Sequence, residues 1–549
     1  MIHLNQVGFG VDMPKRAVIT GKGENCFVIS ADNEAVLEPS MTDPRFDAAS
    51  GDTVRIVDFT EIRKPGKYFL FADGLKKTFY INERPYRILA GALVKGMYYQ
   101  RCGCTLDEKH AGHFCHNICH TGKATLICKD SGITDDSVVM DVSGGWHDAG
   151  DYGRYIVPGT VSVGHMLYAY ELFPKAFQDE LNIPESGNGV PDILNECRYE
   201  LEWMMKMQRQ DGGLYHKVAT RYFAPFIMPE DDHEELLLFR VTHTATAGFA
   251  AALAQAHRVY KKYDKNFSDK MLTASVRAWD WLEKNPVFEP FVNPPNTRSG
   301  SYGDEHFEDE FFWAACELFA ATGEERYGES MRSLVDKVDI SKLGWRDVGG
   351  LGSLCCLFAS ENLDADYINK LQERFIAAAD SFYAKYQYSG YGTALDEDEY
   401  KWGSILPIMN NAIILICAKL LTGEDKYQIA AQAQLDYLLG MNATGYSFVT
   451  GFGENAFRFP HHRPSYADGV DDPVPGLVSG GPNKNYPDKT CKDLIPPETP
   501  TAKFYIDHTW TASANENAIY WNSPAIFVTA YFDSLAILPE IENNVSSSG

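Results

Sequence analysis

The chain lacks an excess of positive charge: 50 Lys and Arg face 75 Asp and Glu, a formal net charge of −25 over 549 residues. Nucleic acid and anionic lipid surfaces are polyanions, so both are poor partners for such a chain. It also lacks a long apolar run, the stretch from Ile413 to Leu421 being too short to span a bilayer. The opening MIHLNQVGFGVDMPKR has neither the basic segment nor the apolar core of a secretory leader. A cytoplasmic location is therefore expected, or secretion if a leader has been removed. Twelve cysteines are too few in this length for a dense disulfide framework. Cys316, Cys355, Cys356 and Cys417 lie in apolar helical stretches and read as buried free thiols. That pattern leans toward a reducing compartment.

What is present is an ordinary globular composition, 45% hydrophobic and 23% charged, which excludes a disordered or fibrous chain. Aromatics reach 13%. Most belong in cores, but such a surplus also suits stacking surfaces for sugar rings, whose C–H faces pack on indole and phenol. The length allows one large domain and a smaller one.

The chain changes grammar after its first ~85 residues. Arg16–Ile19, Cys26–Ile29, Thr53–Asp58, Tyr68–Ala72 and Lys77–Ile81 are short β-branched and aromatic runs between Gly, Pro, Asp and Asn. They predict a small β-sandwich. Beyond NERPYRIL, apolar residues recur at helical spacing in segments such as YRILAGALVKGMYYQR, PDILNECRYELEWMMKMQ, LPIMNNAIILICAKLL and NAIYWNSPAIFVTAYFDSLA. About a dozen helices joined by long loops suit an (α/α)6 barrel with a cleft at one end. A superhelical array is the alternative, but no fixed-period repeat supports it.

Four segments could carry chemistry. In SGGWHDAGDYGRY, Asp148 and Asp151 stand three apart around glycine, close enough to share a proton or a water. A Gly/Asp turn with one capping carboxylate is the plainer reading. Glu516 precedes an apolar helix, where a carboxylic acid at the rim of a core can act as a proton donor; a carboxylate favoured by the helix dipole is the alternative. In SFVTGFGENAFRFPHHRPS, His461, His462 and Arg463 either face a substrate or lie on a surface loop. RCGCTLDEKHAGHFCHNICH is dense enough in Cys and His for a metal, although its spacing fits no standard finger. A disulfide or plain thiols would also account for it.

In this order, and over nearly the whole chain, these segments resemble glycoside hydrolase family 9. HLNQVGFGVDMPKRAVI looks like the immunoglobulin-like domain of one branch of that family, GGWHDAGDYG like its catalytic loop, and the His-bearing and YIDHTWTASANENAIYWNS segments like its two signatures. The resemblance implies an immunoglobulin-like all-β sandwich over 1–84, an all-α (α/α)6 catalytic barrel over 85–540 and a polar tail over 541–549. It implies an inverting hydrolase of β-1,4-glucosidic bonds in cellulose-type glucans and cellodextrins, an endoglucanase or cellodextrinase. Asp151 would be the base, Asp148 would help hold the water and Glu516 would be the acid. His461 and Arg463 would line the subsites, Tyr505 and Asp507 would support the acid, and Trp345 and Trp402, with Trp510, would stack on sugar. An inverting reaction sets its two carboxyls roughly 6.5–9.5 Å apart, so distant segments must converge.

The resemblance also implies structural zinc on Cys102, Cys119, His120 and His147, with His116 as a rival fourth ligand. Structural calcium would sit at ESGNGVPD, 185–192, or at GDEHFEDE from Gly303. No cofactor is expected for the chemistry itself, and a monomer is expected. Two departures, Ala512 in place of an aromatic and Ile405 in place of Asn, bear on the substrate subclass. The absent leader, and the absence of an evident carbohydrate-binding module, favour short soluble chains. An exo-acting β-glucosidase or exo-β-glucosaminidase is the neighbouring alternative. A non-catalytic glycan-binding protein need not keep both carboxylates, and a zinc-dependent hydrolase would need an open metal position.

Overall fold

The computed structural model describes residues 1–31, 35–360 and 363–537. The polar tail expected over 541–549 lies outside the described residues.

The first strands pair because their side chains alternate. In Gly66–Ala72, Tyr68, Leu70 and Ala72 point inward and the residues between them are more exposed. This strand returns through Asp73-Gly74, both at positive φ (50° and 75°), into Leu75–Asn82. Phe27–Ser30 and Ala35–Leu37 extend that sheet on one side, and Phe9–Gly10 on the other. The facing sheet runs Ile2–Leu4, Arg16–Ile19, Asp52–Asp58 and Ser40–Met41, with Arg45–Asp47 also on Asp52–Asp58. Phe9, Ile19, Val28, Val57, Phe59, Leu70, Phe79 and Ile81 fill the space between the sheets. This is the immunoglobulin-like sandwich that the sequence predicts.

From Arg87 onward the chain is mainly helical. The inner helices are Ile156–Leu172, His243–Tyr260, Glu308–Thr322, Gly349–Leu354, Ile405–Thr422 and Ile519–Ser534. They are close to apolar all round: every residue from Ile519 to Asp533 is buried, and every residue of His243–Tyr260 except Arg258. Around them pack amphipathic helices such as Lys265–Lys284, which buries Phe267, Met271, Ala274, Ala278 and Leu282 along one stripe. Ile519–Ser534 packs on both Ile156–Leu172 and Ile405–Thr422, which closes the ring of an (α/α)6 barrel. Ile405–Thr422 is longer than the run read from sequence, and by composition alone could cross a bilayer. Here its faces are covered by Ala365–Tyr388, Asp425–Leu438 and Ile519–Ser534.

The helical grammar missed one feature. A five-stranded sheet lies among the barrel loops, in the order Thr134–Asp141, Lys123–Ile127, Leu237–Leu238, Lys217–Ala219 and Arg154–Tyr155. Its last strand runs straight into Ile156–Leu172, and Tyr155 is paired with Lys217.

Sandwich and barrel share a polar seam. Asn5 donates to Asp436 Oδ1 (2.7 Å) and the Tyr86 hydroxyl (3.1 Å), and accepts from the Val7 and Gly8 amides. Lys503 and Tyr391 meet Asp52 at 2.6 and 2.7 Å, and Gly390 N–H meets Asp47 at 2.7 Å. Burial pushes Asp436 up to about 7, with Asn5 opposing. Asn5→Leu should lower stability by about 1–3 kcal/mol, because it strands a buried acceptor. Removal of residues 1–84 should lower the melting temperature further. An unchanged melting temperature in both variants would show that the sandwich does not support the barrel.

Candidate active site

The segment 143–155 is shaped by contacts that only glycine allows. A Cβ on Gly145 would meet the Trp203 ring at 2.6 Å, and one on Gly150 would meet the His461 carbonyl oxygen at 1.7 Å. The Asp148 amide bonds the Gly153 carbonyl (2.9 Å), so the chain curls between the two aspartates. Gln100 holds the stretch from behind. Its side-chain amide donates to the His147 and Ala149 carbonyls (3.1 and 2.8 Å), and its Oε1 meets His462 Nε2 at 3.0 Å.

Two remote segments complete the site. Ile519 N–H donates to the Asp148 carbonyl (2.8 Å), and Ala149 bridges Ala518. Gly480 N–H donates to the Glu516 carbonyl (2.9 Å), and His461 N–H to the Asn515 carbonyl (2.9 Å). The structure thus brings Asp148, Asp151 and Glu516 together, with His461 and Arg463 beside them.

Each carboxyl has its own surroundings. Asp151 Oδ2 accepts from Gly153 N–H (3.1 Å) and the Tyr155 hydroxyl (3.2 Å). Burial raises its pKa, while the Arg463 charge and these two bonds oppose the rise. Asp148 is pushed well above the usual range by burial and by Asp151. Its Oδ2 accepts from Tyr302, whereas its buried Oδ1 makes no hydrogen bond among the described residues. Glu516 keeps part of its surface open. The protein enclosing its carboxyl, then Asp151, pushes it well above the usual range, while Arg463 opposes the rise.

The remaining expected residues divide. His461 Nδ1 meets the Thr509 carbonyl at 2.7 Å, and burial draws the ring down to about 4, so it is neutral. Arg463 is buried and holds backbone: Nε donates to the Ala224 carbonyl (2.7 Å) and Nη1 to the Gly150 carbonyl (2.6 Å). It clamps the aspartate loop more than it lines a subsite. Tyr505 and Asp507 reach Glu516 at one remove. Tyr505 donates to Asn515 Oδ1, and Asn515 Nδ2 donates to Asp507 (2.9 Å). Trp345 packs edge-on to Tyr302 at 5.1 Å and so belongs to the site. Trp402 is 51% exposed, and no contact among the described residues ties its ring to the carboxylates. Trp510 is exposed too, in an aromatic cluster with Phe226 and Tyr466 that touches His461. Ile405 is fully buried. Its amide bonds the Gly480 carbonyl, and Gly480 in turn bonds Glu516, so it braces the backbone behind that carboxyl.

Sequence reasoning missed Tyr302, Tyr155, Gln100 and Asn515. Tyr302 stands at φ 46°, a left-handed conformation uncommon outside glycine. Its one signal was its place beside the acidic stretch from Gly303. Asn515 adjoins Glu516 inside a segment already singled out.

Behind the loop, ligand atoms of Cys102, Cys119, His120 and His147 lie within 4.8 Å of one another, all four residues buried. Tetrahedral zinc ligands stand about 3.6 Å apart, so the set is compact enough. His120 Nδ1 and His147 Nε2 are buried without a hydrogen-bond partner among the described residues, and Asp232 meets His120 Nε2 at 3.2 Å, as a carboxylate behind a metal-bound imidazole would. His116 is outside this set, its Nδ1 being 2.6 Å from the Asn117 carbonyl. All twelve cysteines are free thiols.

The two calcium candidates differ. In 185–192, Glu185 is engaged by Arg101, and Asp192 by Leu181 N–H, Ser186 and Asn195. From Gly303, both Glu310 carboxylate oxygens and Asp304 Oδ2 are buried without hydrogen-bond partners among the described residues. Burial and then Asp309 push Glu310 well above the usual range, and the same causes push Asp347 up to about 7.

Gly150→Ala tests the way the loops meet. The clash with the His461 carbonyl should cost about 1–3 kcal/mol in urea unfolding. Wild-type stability in this variant would mean that the loops do not pack as described.

Residues 86–529 match the family model described as glycosyl hydrolase family 9, and residues 1–77 match a cellulase N-terminal ig-like domain. A cellodextrinase of Butyrivibrio fibrisolvens is 38% identical, the alignment covering 96% of this chain and 98% of that protein. A xyloglucan-specific endo-β-1,4-glucanase of Bacteroides ovatus is 34% identical, with 98% and 94% covered. A single-mutant thermostable endoglucanase from Alicyclobacillus acidocaldarius superposes with a TM-score of 0.91 at 34% identity, covering 97% of this chain and 99% of that one. A Zn-binding triple mutant of a family 9 endoglucanase does so at 0.90 and 34%, with 95% and 99% covered.

Proposed function

Because the chain belongs to glycosyl hydrolase family 9, we propose that it cleaves β-1,4-glucosidic bonds with inversion at the anomeric carbon, acting chiefly on short soluble cellodextrins. The observation that carries this reading is the unequal treatment of neighbouring carboxyls. Burial and Asp151 push Glu516 well above the usual range, while Asp151 has the Gly153 and Tyr155 hydrogen bonds to favour its charge, Arg463 opposing the rise of both.

In the reaction Asp151 takes a proton from water, and that water's oxygen bonds to the anomeric carbon. The glycosidic bond breaks as Glu516 gives its proton to the departing oxygen. Asp148 Oδ1 is free to hold the water. Neutral His461 and the aromatic rim of Phe226, Tyr466 and Trp510 contact the sugar. The preference for short chains draws on the 38% identical relative, named a cellodextrinase. Endo action on longer glucans is the second reading, supported by the endoglucanases among the relatives and structures.

Cellopentaose should yield shorter cellodextrins whose first anomer is α. Glu516→Gln and Asp151→Asn should each lose about 10²–10⁴-fold in kcat. A β-anomer, or a fully active Glu516→Gln, would break the mechanism. Random cuts in a long soluble glucan, with a rapid fall in viscosity, would replace the cellodextrinase preference with endo action.

Cys102, Cys119, His120 and His147 would hold structural zinc. Four protein ligands leave no open position, so the ion would stiffen the segment that carries Asp148 and supply no reacting water. Asp304, Asp309, Glu310 and Asp347 would hold calcium. Metal analysis of the purified protein should find zinc in wild type and His116→Ala but not in His147→Ala. After chelation, calcium should raise the melting temperature of wild type but not of Glu310→Gln. Zinc retained in His147→Ala, or an equal calcium response in Glu310→Gln, would reject the respective site.

A further inference from the structure

Lys217 is a buried ammonium with no carboxylate in contact among the described residues. It lies on Lys217–Ala219, fully buried. Its three N–H bonds go to neutral oxygens: Asn293 Oδ1 at 2.7 Å, Ser299 Oγ at 3.0 Å and the Gly300 carbonyl. Phe239 and Phe291 enclose it, with ring centres at 4.3 and 5.3 Å. Burying a charge among neutral groups is costly unless something compensates.

Its strand partner shows what does. Tyr155 lies directly across from Lys217, its ring centre 5.4 Å from Nζ. Gly300, held at its carbonyl by Lys217, donates its N–H to the Tyr155 hydroxyl (3.1 Å). The hydroxyl in turn donates to Asp151 Oδ2 (3.2 Å). A phenol oxygen that accepts a hydrogen bond becomes a better donor.

We propose that Lys217 is a positioning residue for Asp151: through Gly300 and Tyr155, and through its own buried charge, it aims the carboxylate and keeps it ionised. The inference rests on Asp151 being the base. Burial draws Lys217 down to about 7, with Asp151 opposing, so it stays protonated where a carboxylate titrates. Neighbouring His216 is driven down to about 3 by burial and stays neutral. Around Asp151, Arg463 also favours ionisation, while Asp148 and Glu516 oppose it. Lys217 is thus a second cation linked to the base, through Gly300 and Tyr155, where Arg463 holds the Gly150 carbonyl.

The sign follows. If Lys217 is removed, the charged form of Asp151 loses support and its pKa rises. The acid limb of kcat/KM must then move to higher pH, and a displacement of one pH unit cuts the rate on that side about tenfold.

The test is the pH profile of kcat/KM on cellopentaose, with the full chain carrying Lys217→Met, Lys217→Arg, Tyr155→Phe or Lys217→Met with Tyr155→Phe. Circular dichroism and melting curves check folding. Lys217→Met and Tyr155→Phe should each raise the acid-limb midpoint by roughly 0.5–1 in pH. Lys217→Arg should restore most of it, and the double variant should move less than the sum of the two. Folded Lys217→Met with an unmoved acid limb would overturn the proposal and leave Lys217 as a tie for residues 293–300. If Lys217→Met does not fold, Lys217→Gln, which keeps a donor at the Gly300 carbonyl but removes the charge, takes its place: a raised limb supports the proposal and an unmoved one overturns it. Asp151→Asn separates the two readings, because full activity there would remove the base assignment itself.

Discussion

The site depends on peptide hydrogen bonds between segments that the sequence keeps far apart. Ile519 bonds Asp148, Gly480 bonds Glu516, His461 bonds Asn515, and Arg463 reaches the Gly150 carbonyl. Each such bond is worth only about 0.5–1.5 kcal/mol net. Together they fix the relative places of three loops to within hydrogen-bonding tolerance, which no single side-chain contact could do. The barrel supplies the rest of the rigidity. Its inner helices are buried on nearly every face, so the loop ends they carry have little freedom to drift.

Enclosing three carboxyls in one place has an electrostatic consequence. Burial and mutual repulsion both disfavour full ionisation, so Asp148 and Glu516 are driven far upward. Asp151 differs by its partners more than by its depth. The Gly153 amide and the Tyr155 hydroxyl stabilise its charge, and Arg463 opposes the rise of both Asp151 and Glu516. The difference between the carboxyls is therefore written into neighbours that lie within four residues of Asp151. The compact Cys/His set adjoins the same loop through His147, next to Asp148.

Much of this was legible in the sequence. Strands such as Arg16–Ile19 and helices such as Arg87–Tyr99 and Ala365–Tyr388 follow from alternation and from helical periodicity. The three carboxyls that the structure brings together and the Cys/His set stood out through their motifs. Ile156–Leu172 gave no periodic signal, because it is apolar all round and contains Pro158, Gly159 and Gly164. Two strands of the loop sheet, Arg154–Tyr155 and Leu237–Leu238, are two residues long, too short for a pattern. Gln100 and Asn515 were missed for another reason. They work by bridging carbonyls and amides, and backbone groups leave no mark in a sequence.

The ring is closed by the helix that follows Glu516, which packs on Ile156–Leu172 and Ile405–Thr422. On a ribosome adding roughly 5–20 residues per second, the first inner helix waits on the order of tens of seconds for that neighbour. Through that interval the nascent chain has its aspartates but neither Glu516 nor a closed cleft. A prematurely terminated chain is left in the same state, with the apolar face of Ile156–Leu172 uncovered. Catalytic competence thus arrives in one late step, and incomplete products carry an exposed surface of the kind that chaperones and proteases recognise.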